Sequence, residues 1–151
     1  TTGTVLSDSY PVEIRKFFPD VQVFQQACPM WVPLVENNEL ENSGTEYFVG
    51  KSVNNLLKQS DRIDTILLAC THYPLLLNTI QKLTPEHISI VTQGEIVASS
   101  LADYLERHPE MAAQCSENGD VAFQTTDDKN KFNLASEIFL GYQTEAVKVA
   151  L

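Results

Sequence analysis

The sequence predicts an α/β fold: a parallel sheet flanked by helices on both faces. Two observations lead there. Short β-branched or apolar runs alternate with segments of helical periodicity along most of the chain, the pattern of repeated βαβ units. One of these runs, Ile63 to Ala69, is short, largely apolar and bounded by polar residues, which marks a strand covered on both faces of a parallel sheet.

The elements follow in order. Thr1–Val5 is β-branched and broken by Gly3, and reads as the end of a strand. Ser7, Asp8 and Ser9 are helix-start residues, with Pro11 tolerated in the first turn, so a helix is expected to about Phe18, where Pro19-Asp20 stops it. Val21, Val23 and Phe24 mark a second strand. The segment Cys28-Pro29-Met30-Trp31-Val32-Pro33-Leu34-Val35-Glu36 is apolar but carries two prolines, and is expected to be a shaped loop. From Thr45 to Gln59 the positions Tyr47, Phe48, Val53, Leu56 and Leu57 recur at helical spacing. After the strand Ile63–Ala69, Pro74 opens a helix from Leu75 to Leu83, and Ile88, Ile90 and Val91 mark a fourth strand. Gly94 and Glu95 open a helix to about Arg107. The stretch His108–Asp120 is polar and irregular, and Val121–Thr126 and Asp127–Leu140 give a last strand and helix.

The 151 residues are 43% hydrophobic and carry a net charge of −10, enough for a real core. No cluster of Lys or Arg is present that could neutralise a run of phosphates, so nucleic acid is not an expected partner. The apolar stretches around Ile66–Leu68 and Leu75–Leu77 are far too short for a membrane span, and a cytoplasmic protein is expected. Cys28, Cys70 and Cys115 are an odd number at irregular spacing, neither a disulfide framework nor a zinc pattern. The chain begins Thr-Thr-Gly-Thr, and it reads as a fragment.

The chemistry concentrates in Ala69-Cys70-Thr71-His72-Tyr73-Pro74-Leu75-Leu76, where a buried strand gives way to a helix. Sites in open α/β sheets lie beyond the carboxyl ends of the strands. A helix start offers unpaired N–H groups and partial positive charge, which favour a carboxylate ligand and a thiolate. Cys70 is therefore a candidate acid–base thiol, and His72 a residue that could orient it or exchange its proton. Taken alone, Cys-x-His is equally a small buried thiol beside a capping imidazole. A zinc site needs three or four ligands, and His87, His108 and Cys115 show no ligand spacing with this pair.

This run resembles the second signature of glutamate racemases, in which glycine usually stands where Ala69 does. Two further segments resemble that family in the same order: Cys28–Glu36, and Thr1-Thr2-Gly3-Thr4-Val5 followed by Ser7 and Tyr10. The resemblance spans essentially the whole chain; Gln93-Gly94-Glu95 departs from the family pattern and takes no role from it. It implies a two-domain, cofactor-independent enzyme that interconverts L- and D-glutamate by two-cysteine proton transfer, supplying D-glutamate for peptidoglycan and so for the cell wall and cell shape. Catalytic roles are implied for Cys70, His72 and Glu36, substrate binding for Thr71, Thr1 and Thr4, and no metal.

The resemblance further implies that residues 1–107 are the second α/β domain and that 108–151 is a linker, strand and helix returning to a first domain absent here. The expected partners are glutamate, that missing domain and a second copy of the chain. Phe123, Phe132, Leu134, Ile138 and Phe139 are then expected to lack their usual neighbours. The family's other cysteine has no counterpart here; Cys28 and Cys115 are not expected to replace it, so the fragment alone is expected to be inactive. The alternatives are a racemase for another amino acid such as aspartate, and a non-catalytic module that binds an acidic amino acid or a protein.

Overall fold

A computed structural model describes residues 1–116 and 119–150; positions 117 and 118 of the polar stretch lie outside the described residues. The chain divides into two compact units, Thr1–Gly94 and Glu95–Leu151, and each contains one pair of parallel strands.

In the first unit, α1 (Thr2–Leu6) and α2 (Ser9–Phe17) precede a run from Val21 to Cys28 that is neither helix nor paired strand. Two expectations are corrected here. Thr1–Val5 is not a strand end, because the Thr1 hydroxyl accepts from Thr4 N and caps a short helix. Nor is Val21–Phe24 a strand, since among the described residues no ladder bonds reach it. Both have one cause: β-branched residues favour a strand only where a neighbour completes the ladder.

The segment from Cys28 is also not simply a loop. Trp31–Glu36 is helical (α3), because Pro33 is its third residue, where the missing N–H would have had no helical acceptor. Asn38 in the left-handed conformation, φ 57°, follows its end. Helix α4 (Ser43–Leu57) begins at Asn42, whose side chain accepts from Thr45 N at 2.9 Å, and it lies against α5 (Leu77–Leu83).

Strand β1 (Thr65–Leu67) pairs in parallel with β2 (Ser89–Val91), Ile66 opposite Ile90. Its cover is one-sided: Ile66 and Leu68 are buried, whereas Leu67 is 40% exposed. The core of this unit gathers Trp31, Val35, Val49, Val53, Ile66, Leu68, Tyr73, Leu76, Ile80 and Ile88. It clamps α3, α4 and α5 onto the buried face of β1, and so fixes where the chain emerges at Cys70.

The second unit holds most of α6 (Gly94–Arg107), with α7 (Pro109–Ala112), β3 (Gln124–Thr125), α8 (Lys129–Leu140) and β4 (Val147–Lys148). Strands β3 and β4 are parallel, with α8 as their crossover. Asp128 caps α8 by accepting from Asn130 N and Lys131 N, and these bonds hold its carboxyl below the usual carboxylate range. Gly141, φ 73°, ends the helix in a conformation that suits glycine. Leu134 is exposed, and Phe123 and Phe132 lie against one another, ring centroids 6.3 Å apart. Strand β4 and α7 had no clear signal, being two and four residues long.

Candidate active site

The chain leaves β1 at its carboxyl end, and Leu68 N still bonds to Val91 O before Cys70 turns away. A 3-10 turn, Tyr73–Leu76, follows directly and runs into α5, in place of the uninterrupted helix expected from Leu75. Tyr73 N donates to Cys70 O and Leu75 N to His72 O. These bonds bend Cys70, Thr71 and His72 into one tight bend, anchored below by the buried Tyr73 and Leu76.

Four of the expected residues converge here. Cys70 Sγ lies 3.9 Å from His72 Nδ1, and His72 Nε2 lies 3.5 Å from Glu36 Oε1. The two ring nitrogens thus face opposite partners, a thiol on one side and a carboxylate on the other. Glu36 reaches this position as the last residue of α3, held against the 3-10 turn. Thr71 Oγ1 is 3.5 Å from His72 Nδ1. A carboxylate beside one nitrogen holds the ring's orientation and presents the other nitrogen to the thiol. Chemically, the group can accept a proton at sulfur and share it with the ring.

Thr1 and Thr4 lie elsewhere in the same unit. Their hydroxyls are 2.8 Å apart, and both line a cleft of about 690 Å³ whose other walls include Val21–Gln26 and Arg62–Ala69. Cys70 is not among its lining residues, although Ala69 is. Sequence reasoning gave no role to Gln93, whose amide donates to Tyr10 Oη at 2.9 Å and to Leu68 O at 3.5 Å. It ties the carboxyl ends of both strands to α2, and only the spatial arrangement reveals it.

Cys28 lies beneath the site, 7% exposed, and the Tyr73 hydroxyl donates to its carbonyl oxygen. Burial pushes the Cys28 thiol up from its ordinary value, and burial together with the nearby thiols raises the Tyr73 phenol. A raised thiol carries less thiolate at any given pH, and thiolate is the species that alkylates. Iodoacetamide near neutral pH is accordingly expected to modify exposed Cys115 first and Cys28 last, read by peptide mass spectrometry; early Cys28 labelling would contradict its burial. Because the folded chain holds this thiol neutral, its contribution to stability is present below the ordinary thiol range and is lost as pH rises above it.

Among the described residues no group of three or more His, Cys, Asp or Glu side chains could hold a metal, and no helix is long and apolar enough to cross a membrane. Fold and site together define an α/β protein with a thiol, an imidazole and a carboxylate in series beyond a parallel strand, a constellation suited to proton transfer. No family model matches the chain. It is 36% identical over 147 residues to a glutamate racemase of Thermoanaerobacter sp. (strain X514), covering 97% of this chain and 54% of that protein. It is 33% identical to a glutamate racemase of Enterococcus faecalis over 95% of this chain and 52% of the relative.

Among solved structures, the glutamate racemase isoform RacE1 of Bacillus anthracis matches with a TM-score of 0.86 at 30% identity, over the whole chain and 55% of that one. The fold of a Francisella tularensis glutamate racemase solved with D-glutamate matches at a TM-score of 0.83 and 22% identity, over 97% of this chain and 54% of that one. In sequence and in fold the chain is related to the C-terminal portion of the glutamate racemases. It spans about half the length of the curated relatives it matches.

Proposed function

We propose that the chain is the C-terminal part of a cofactor-independent glutamate racemase and contributes one of its two acid–base groups. The observation that carries this reading is the series Cys70, His72 and Glu36, with the two imidazole nitrogens facing opposite partners. On this reading the Cys70 thiolate removes the α-proton of L-glutamate and becomes the thiol. The resulting carbanion takes a proton on its opposite face from a second thiol, supplied by the portion of the relatives that this chain does not span. In the reverse direction Cys70 is the acid.

His72 steadies the charge on sulfur as the proton comes and goes, and Glu36 orients the imidazole. Thr71, Thr1 and Thr4 bind the substrate carboxylates. An amino-acid α-proton is a very weak acid, so such a site has to be preorganised and shielded from water, which a cleft between two domains supplies. Residues 1–107 then form the second domain, and 108–151 return to the first. The exposed Leu134, Phe139, Tyr142 and Val147 offer apolar surface for that domain or a second copy to cover. The product is D-glutamate for peptidoglycan, made in the cytoplasm.

Two facing acid–base groups are the minimum for inversion, and this chain offers one. Assayed alone, it is expected to show no measurable interconversion of L- and D-glutamate by circular dichroism of the substrate. Turnover approaching that of a full-length glutamate racemase would overturn the two-thiol division of roles.

A further inference from the structure

The ladder between β1 and β2 ends in an irregular rung. Ser89 N donates to Asp64 O and Leu68 N to Val91 O, with Thr65, Ile66 and Leu67 opposite Ser89, Ile90 and Val91. Bonds in a parallel pair are evenly spaced and use every second residue of each strand, so the next rung would run from the backbone N–H of Gln93 to Leu68 O. Among the described residues that backbone bond does not form. The side chain of the same residue takes its place: Gln93 Nε2 donates to Leu68 O at 3.5 Å. Its second proton goes to Tyr10 Oη at 2.9 Å, the shorter bond and the one that directs the amide.

This exchange of side chain for backbone has a geometric consequence. Strand β2 is released after Val91 and enters α6 at Gly94, while β1 is held one rung further, at the carbonyl two residues ahead of Cys70. Leu68 is buried, so without Gln93 its carbonyl would lack a donor. The Cys70 bend would then be fixed only from its far side, by Tyr73 N on Cys70 O. Kinship supplies no role for Gln93, because Gln93-Gly94-Glu95 departs from the family pattern.

We propose that Gln93, directed by Tyr10, is a positioning residue for Cys70, a role that rests on the racemase reading above. It acts through the backbone of Leu68 and Ala69, fixing the strand end from which the thiol meets the α-proton of L-glutamate.

Gln93→Leu keeps the approximate size of the side chain and removes both N–H donors. It is tested in the protein that joins this chain to the portion its relatives carry ahead of it. Exchange of the α-proton in deuterium oxide, read by proton NMR, reports the two faces separately: L-glutamate depends on Cys70 and D-glutamate on the second thiol. Gln93→Leu is expected to slow exchange of L-glutamate by about 10- to 100-fold, the scale for a slightly misplaced reacting group, and that of D-glutamate by less than about threefold. A role confined to folding would slow both alike. Tyr10→Phe, which removes only the acceptor that directs the amide, is expected to give a smaller loss with the same preference for L-glutamate. The double variant should lose no more than Gln93→Leu alone, because both act through one bond.

Equal slowing of the two enantiomers, no slowing, or additive losses in the double variant overturns the proposal. Should Gln93→Leu fail to fold, the same ratio measured for Tyr10→Phe decides it. A joined protein that exchanges neither enantiomer with Gln93 and Tyr10 intact refutes the racemase reading instead, and the catalytic role of Gln93 falls with it. Its hold on the strand end is read separately, without turnover, on the 151-residue chain. There Gln93→Leu is expected to bring amide-nitrogen relaxation dispersion to Ala69, Cys70 and Thr71 and none to Ile80 in the core; its absence at all three overturns that hold.

Discussion

In a protein that joins this chain to the portion its relatives carry ahead of it, Cys70→Ala is expected to lower kcat for racemisation by about 10²–10⁴-fold in both directions, the range for loss of a positioned acid–base group. The substitution removes a thiol at a half-buried position and leaves the core beneath it intact, so the fold is retained. The two substrates separate this from a general defect. In deuterium oxide the remaining thiol can still remove and return the α-proton of D-glutamate on its own face, so D-glutamate gains deuterium without inverting. L-glutamate, which depends on Cys70, does not. Proton NMR at the α-position reads both, and deuterium entering L-glutamate at an unchanged rate would remove Cys70 from the role assigned to it.

Trp31→Ala is expected to cost about 3–5 kcal/mol of unfolding free energy, the usual loss for truncating a large buried aromatic side chain. Trp31 is 4% exposed, meets the Tyr73 ring edge-on at a centroid distance of 4.7 Å, and donates from Nε1 to Phe48 O. It joins α3, α4 and the 3-10 turn, and those elements hold Glu36 and His72 in place. Urea unfolding followed by far-ultraviolet circular dichroism measures the change. A loss under about 1 kcal/mol, typical of a surface site, would mean that the core is not organised around this ring.

Much was legible from residue order. The alternation of strand and helix patterns was enough for the α/β class, and it located α2, α4, α6 and α8 and the strands β1 and β2. The Cys-Thr-His run was expected at the carboxyl end of an apolar strand, and the chain places it just after β1; its chemical role came from the resemblance. Glu36 entered only through the resemblance of its segment, since an isolated glutamate after a proline-bearing run has no distinctive pattern. The two prolines made that segment look like a loop. Whether a proline breaks a helix or opens one depends on its distance from the first turn, which the sequence left undefined.

The sequence by itself determined the class of fold and the strand that ends at Cys70, which follow from short-range periodicity, whereas the acid–base role of Cys70 and His72 entered through the resemblance and not through spacing. Only the tertiary structure decided that His72 faces Cys70 and Glu36 through different nitrogens, and that Gln93 bridges α2 to β1. The same holds for Thr1–Val5 and Val21–Phe24, which carry strand-forming residues yet do not form strands. The physical reason is shared: helices close their hydrogen bonds within themselves, whereas a strand exists only in a ladder, and the partner on the other side of that ladder is a long-range property.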